Sequence, residues 1–266
     1  MDPLQKITSR DNPRLVEARK IRDGKVPGKI FIEGQRLAAE ALRSGLTITE
    51  CFVAEEFRNR DLLQAVGKRS AIIELPVNTF GSIADTQNPQ GVVLIAERPQ
   101  CTLADIEKGL VSSHLPMILF FSEINNPSNL GAVLRTAEAV GVSGIITSRG
   151  SVDIYSAKAL RSAMGATFRL RIAESVFFDE ALMWAGDHDL QTTASASTAE
   201  ISYTEVNWKI PRLLIFGSEA HGLSENQLQA VNETIRIPLE NHVESLNLAV
   251  AAGILLFEAK RQAESV

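Results

Sequence analysis

Leu213-Leu214-Ile215-Phe216 runs directly into Gly217-Ser218-Glu219-Ala220-His221-Gly222-Leu223. Four consecutive apolar residues without polar alternation read as a strand buried on both faces, and the glycine-punctuated segment after it reads as a strand-to-helix turn. Ser224 followed three residues later by Gln227 makes a capping box that opens the next helix. The same alternation extends outward. The sequence predicts strands at Met117 to Phe121, Gly144 to Thr147, Leu190 to Ala194, Arg212 to Phe216 and Thr234 to Leu239, with helices between them and at the end. Apolar strands separated by helices imply an α/β class with a mainly parallel sheet covered on both faces. Ligands of such sheets bind at the carboxyl ends of the strands.

The first hundred residues alternate on a smaller scale. Asn12-Pro13 predicts a helix start, because Asn caps free amides and Pro suits the first helical position. A strand is expected at Lys29 to Glu33, then a helix over Gln35 to Ser44 with Leu37, Ala38, Ala41 and Leu42 on one stripe and Gly45 as its stop. Further strands are expected at Glu50 to Ala54, Ala71 to Leu75 and Gly91 to Ala96, giving a small α/β sandwich. Arg98-Pro99-Gln100 breaks the last strand, and Cys101 to His114 reads as a mostly polar connector. The domain boundary is expected near residue 110, with 1–105 taken as one domain and 106–266 as the other.

With 266 residues, 45% hydrophobic and 22% charged, the chain is long enough for two such cores and is not of the disordered class. The longest nearly unbroken apolar run, Leu248 to Phe257, is short of the roughly 18 residues of a membrane span. Met1 to Arg10 lacks a signal-peptide apolar stretch, so the expectation is a soluble, cytoplasmic protein with no membrane partner. Two cysteines, Cys51 and Cys101, cannot form a disulfide framework, and four scattered histidines lack ligand spacing, so no structural metal is expected. The net charge of −5 argues against a strongly basic nucleic-acid binder, but it is unevenly spread. Residues 1–36 carry nine Lys or Arg, among them Arg10, Arg14, Arg19 and Lys20, against five acids. Ile154 to Ala173 holds Lys158, Arg161, Arg169 and Arg171 with no acid, a pattern suited to phosphate contacts, although charge alone equally describes a solvated face.

Three junctions of the second half concentrate polar residues and glycine. Asn125-Asn126-Pro127-Ser128-Asn129-Leu130-Gly131 leads into a helix over Ala132 to Val140. Leu130, Val133, Leu134, Ala137 and Val140 form its apolar stripe, which leaves Arg135 facing away from the core. At the second junction, Gly217 offers close backbone approach to a ligand, and Glu219 places a carboxylate at the carboxyl edge of the sheet. The third is Ile237-Pro238-Leu239, Glu240 to Glu244, then Ser245-Leu246-Asn247, with Ser245 as the expected cap of the final helix. Taken singly, each junction reads equally well as an ordinary capped loop.

In order and spacing the three resemble the motifs of the SpoU (TrmH) family of RNA ribose 2′-O-methyltransferases, members of the SPOUT superfamily. The matching pieces are Asn126 to Ala132 with Arg135-Thr136-Ala137, then Gly217-Ser218-Glu219 with Gly222-Leu223, then Ile237-Pro238 with Val243 to Asn247. Ile7, Ser9, Asn12-Pro13 and Phe31-Ile32-Glu33-Gly34 resemble the substrate-binding module that precedes many of these enzymes. Asn126 stands where an acid is more frequent, and Leu239 where Met is common. The resemblance implies an L30e-like RNA-binding domain, then a catalytic domain with a trefoil knot, an exception to the usual absence of knots. It implies S-adenosylmethionine as cofactor, held through the main chain at Gly217, Ile237 and Leu246. It further implies a homodimer acting on RNA, ribosomal RNA first and transfer RNA second, and a catalytic set of Asn129, Arg135, Glu219, Ser245 and Asn247.

A guanidinium holds its proton so firmly that a general-base role for Arg135 would require a large perturbation. The preferred expectation is that Arg135 grips the phosphate beside the target ribose and stabilises the forming alkoxide, while Asn129, Glu219, Ser245 and Asn247 orient the site. The basic segments, Arg10, Arg14, Arg19, Lys20, Lys158 and Arg161 in particular, would hold the RNA backbone. A non-catalytic RNA-binding protein on the same fold is the competing reading. The sequence contains neither G-x-G-x-x-G opening a helix after an early strand nor G-x-x-x-x-G-K-[ST], which disfavours dehydrogenase and P-loop chemistry.

Overall fold

The computed structural model describes residues 5–110, 115–241 and 243–265. Two compact units divide the chain: Met1–Pro99 with Ile154–Phe168, and Gln100–Asp153 with Arg169–Val266.

The first unit contains β1 (Gln5–Lys6), α1 (Pro13–Arg22), β2 (Lys29–Glu33), α2 (Gln35–Arg43), β3 (Ile48–Ala54), α3 (Arg60–Gly67), β4 (Ile72–Leu75), α4 (Val77–Ile83) and β5 (Val92–Glu97). Its sheet has the order β1-β4-β3-β5-β2, with β5 antiparallel to both neighbours and the other pairs parallel. As the sequence implies, Asn12 Oδ1 accepts from the Arg14 amide at 3.0 Å, and Pro13 opens α1. Leu15, Ala18 and Ile21 of α1 are buried with Phe31, Phe52, Ile73, Phe80 and Val93 in one core. α3 and α4 fall where no helix is predicted. Each is a short helix of seven or eight residues, too brief for a periodic stripe to stand out.

The second unit begins with α5 (Leu103–Leu110), β6 (Met117–Phe121), α6 (Pro127–Val140) and β7 (Gly144–Ser148). The chain then contributes α7 (Ala157–Ala163) and a 3-10 turn at Ala166–Phe168 to the first unit, whose core takes in Ala157. It returns with β8 (Ile172–Val176), α8 (Phe178–Asp187), β9 (Gln191–Ser195), β10 (Ile201–Ser202), β11 (Arg212–Phe216), α9 (Glu225–Ala230), β12 (Glu233–Arg236) and α10 (Leu248–Glu264). The sheet order is β10-β12-β9-β11-β6-β7-β8, and every pairing is parallel. β6, β7 and β11 are buried throughout, as the apolar runs of β6 and of Leu213 to Phe216 in β11 require, and β7 carries Thr147 and Ser148 into the buried sheet with them. Ile118, Phe120, Ile146, Leu213 and Ile215 share a core with Ile106 of α5 and Ala181 and Ala185 of α8. Alternation sends Phe121 and Phe216 to the other face, where their rings stack at 5.6 Å.

Several expectations are corrected. The expected connector Cys101 to His114 contains α5, which the fully buried Ile106 anchors to the core with Leu103 and Leu110 packed beside it; residues 111–114 lie outside those described. The last expected strand stops at Arg236 rather than Leu239, because Pro238 lacks the N–H that a ladder needs. The final helix is capped by Asn247, whose Oδ1 accepts from the Ala249 amide at 2.9 Å, while Ser245 lies two residues upstream in irregular chain. The segment Ile154 to Ala173 is not one acid-free surface. Lys158 and Arg161 belong to the first unit and Arg169 and Arg171 to the second, while Asp85 and Glu138 supply carboxylates to Arg161 and Arg169.

Candidate functional site

Within the second unit β6 is the first strand of the sheet, with β7 on one side and β11 on the other. The chain first proceeds outward through β7 and β8, then crosses to build the opposite half from β9, so the order reverses beside β6. Carboxyl ends at such a reversal leave a crevice for a ligand. Phe121 and Phe216 are in register there, and the Ser122 amide donates to the Phe216 carbonyl at 2.8 Å.

All three polar junctions reach this place. Glu219 Oε2 accepts from the Asn125 amide at 3.1 Å, and Oε1 accepts from the Asn126 amide at 3.3 Å and from Asn129 Nδ2 at 3.2 Å. Asn129 Oδ1 accepts from Asn247 Nδ2 at 3.0 Å, and Asn247 Oδ1 caps α10. Asn126 Oδ1 accepts from the Ser128 and Asn129 amides at 2.9 and 3.4 Å, which fixes the first turn of α6. A carboxylate is thus tied to the amino terminus of α6, where the helix dipole favours negative charge. Through Asn129 it is linked to the cap of α10, the helix packed against α6. Gln227 of the capping box also reaches back, donating to Ser122 Oγ at 3.3 Å.

Of the expected catalytic set, Asn129, Glu219 and Asn247 are therefore joined, whereas Arg135 and Ser245 are exposed and have no hydrogen-bond partner among the described residues. Arg135 lies six residues beyond Asn129, about 9 Å along the helix and well round its circumference. Gly217 serves the turn itself. A Cβ there would meet Gly222 C at 2.2 Å and Leu223 N at 2.5 Å, because Ser218 and Gly222 close the loop through main-chain bonds of 3.2 and 2.9 Å. Among the described residues the amides of Gly217, Ile237 and Leu246 have no protein acceptor. Three main-chain donors left over in the second and third bends are chemically compatible with a ligand bound through the main chain. His242 of the third bend lies outside the described residues.

Sequence reasoning missed one feature of the same sheet edge. Arg149 follows β7 and Phe177 follows β8; the guanidinium lies 5.7 Å from the centre of the ring, which is 57% exposed. The strand before Phe177 was hidden by its polar Glu174 and Ser175, the latter at φ 60°. Among the described residues there is no cluster of three metal-ligating side chains, and no helix is long and apolar enough to cross a membrane.

Comparison with known proteins agrees with this geometry. The model of the SpoU rRNA methylase family matches residues 116–257, and that of the MRM3-like substrate binding domain matches residues 14–94. The chain is 32% identical to an uncharacterized tRNA/rRNA methyltransferase of Synechocystis sp., over 97% of this chain and 94% of the relative. It is 28% identical to the 23S rRNA (guanosine(2553)-2′-O)-methyltransferase RlmP of Bacillus subtilis, over 97% of this chain and 100% of the relative. A crystal structure of an AdoMet-bound rRNA methyltransferase from Sinorhizobium meliloti superposes with a TM-score of 0.85 at 28% identity, over 97% of this chain and 98% of that one. The fold and its bends are those of an RNA methyltransferase of the SPOUT class with S-adenosylmethionine as cofactor. The chain belongs to the SpoU rRNA methylase family.

Proposed function

We propose that this protein methylates a ribose 2′-oxygen of ribosomal RNA, with residues 1–105 as the RNA-binding domain and 106–266 as the catalytic one. The observation that carries the reading is the Glu219–Asn129–Asn247 chain of hydrogen bonds, which gathers the three motif bends at the reversal point of the sheet. The names of the B. subtilis and S. meliloti relatives support the reaction and the substrate. When bound, S-adenosylmethionine supplies an electrophilic sulfonium methyl. Gly217, Ile237 and Leu246 would hold it through their unpaired amides. Both polar ends of the Asn129 side chain are engaged by protein, so Asn129, Glu219 and Asn247 act as positioning residues. Arg135 and Ser245, unengaged, are the groups left to meet RNA. Arg135 would grip the phosphate beside the target ribose and stabilise the oxygen as its proton leaves.

We further propose a homodimer, in which the Arg135 guanidinium completes a site near the subunit contact. A trefoil knot in the C-terminal half and a cytoplasmic location complete the reading. Of the expected RNA-binding cations, Arg14 is held by Glu50 and Arg161 by Asp85, while Arg10 and Arg19 donate to the carbonyls of Asn78 and Arg10. Lys20 and Lys158 are exposed and unpaired among the described residues, so they would carry the backbone contacts first.

The test is to incubate the purified protein with S-adenosylmethionine and ribosomal or transfer RNA lacking modification, then map ribose methylation by resistance to alkaline hydrolysis. One new resistant site in ribosomal RNA is expected. A site in transfer RNA alone would move the substrate, and cofactor binding without methylation of either would favour a non-catalytic RNA-binding protein.

A further inference from the structure

The first unit contains a cavity of about 290 Å³ at the start of α2, closed on one side by α7. Resting on the RNA-methyltransferase reading, we propose that this cavity is a subsite for one unpaired nucleotide of the RNA, with its base inside and its phosphate on Arg36.

Polar supply and charge both favour a base. The buried Glu33 carboxylate is committed to the loop, accepting from the Asp85 amide at 2.7 Å, the Thr86 amide at 3.3 Å and the Thr86 hydroxyl. Asp85 is in turn paired with Arg161 at 2.6 Å. These three charges are spoken for by protein. Arg36 lines the cavity, is exposed and has no partner among the described residues, which makes it the open cation of the site.

Neutral amides complete the wall. Gly34, at φ 101°, brings the chain so close to Gln90 that Oε1 accepts from the Gln35 amide at 2.9 Å. Gln90 Nε2 has no partner among the described residues, so Gln90 keeps its donors for a ligand. Asn88 is uncommitted and can offer a donor and an acceptor together. Leu37 and Met164 supply apolar surface for a ring. Aliphatic surface from Leu37 and Met164, amides able to read a base edge and one guanidinium suit a splayed nucleotide, the usual target of sequence-selective RNA recognition. At the low end of ligand-cavity sizes, the space suits a single base and not a duplex.

The experiment uses the full chain saturated with S-adenosylmethionine, so that the cofactor site is filled. Saturation-transfer NMR with the four ribonucleoside 5′-monophosphates should show contact to base protons, and Asn88→Leu should abolish it. Arg36→Ala should weaken ribosomal RNA binding by about threefold to tenfold, while cofactor affinity stays within about twofold and Arg36→Lys restores part of the loss. Unchanged RNA affinity and an unchanged NMR signal in both variants would overturn the subsite. Failure of the unaltered protein to bind cofactor or RNA would instead overturn the reading beneath it.

Discussion

Asn129 donates to Glu219 and accepts from Asn247, so one side chain transmits the position of α6 to the second and third bends. Asn129→Ala removes both links while leaving the main-chain amides of Gly217, Ile237 and Leu246 in place. We expect single-turnover methylation to fall by about a hundredfold with the cofactor dissociation constant within about twofold, the pattern of lost orientation. A large rise in that constant, measured by calorimetry, would place Asn129 on the cofactor side instead. Arg135 is tested by substitution with Lys, which keeps the charge but not the planar fork. About a tenfold or greater loss of methylation is expected, and near-complete activity would end the bidentate-grip reading. How far the site was legible in the sequence divides along the same line. Residue identities at the three bends mark the chemistry, because capping and turn residues are local signals. The engagement of both ends of Asn129 joins residues 90 and 118 positions away, and no local spacing encodes it.

At the scale of elements, the bend after β11 depends on Gly217. A methyl group there would collide with the Gly222 main chain, which no rotamer change relieves. Gly217→Ala should open the loop and weaken cofactor binding by about tenfold or more, with far-ultraviolet circular dichroism unchanged; retained affinity would show that the loop can relax. The final helix carries a separate, acid-sensitive device. The Arg261 guanidinium beside Glu258 and the Gln262 amide hold that carboxyl down to about 2. Because the pKa is depressed in the folded state, the stabilisation is complete above the ordinary carboxylate range and is lost as pH falls toward 2. Glu258→Gln should flatten the stability profile in that window, as read by urea titration at stepped pH; an unchanged slope would mean the pair is fully screened. Strands β6 and β11 were legible because burial on both faces writes an unbroken apolar run. β8, α3, α4 and α5 were not, because polar interruptions or brevity erase the period.

For the whole molecule, net charge misleads in both directions. The chain is acidic at −5, and several of its N-terminal cations are already paired, Lys6 with Glu74, Arg14 with Glu50 and Lys29 with Glu17. RNA binding should therefore weaken with salt at a slope set by only a few phosphate contacts, about two to four, and Lys20→Ala with Lys158→Ala should lower it by about one each. A salt-independent affinity would remove these residues from the RNA surface. Linear charge counting failed because carboxylates distant in sequence reach the basic segments only after folding, as Asp85 does to Arg161.

Residues 154–168 are printed in the middle of one unit's sequence yet packed into the core of the other. The peptide chain consequently passes from unit to unit three times, so three covalent crossings, not one, join the pair. A nascent chain halted after its first hundred residues lacks Ala157 and the wall that α7 lends the cavity. The amino-terminal unit becomes whole only once synthesis has moved well into the unit that follows it.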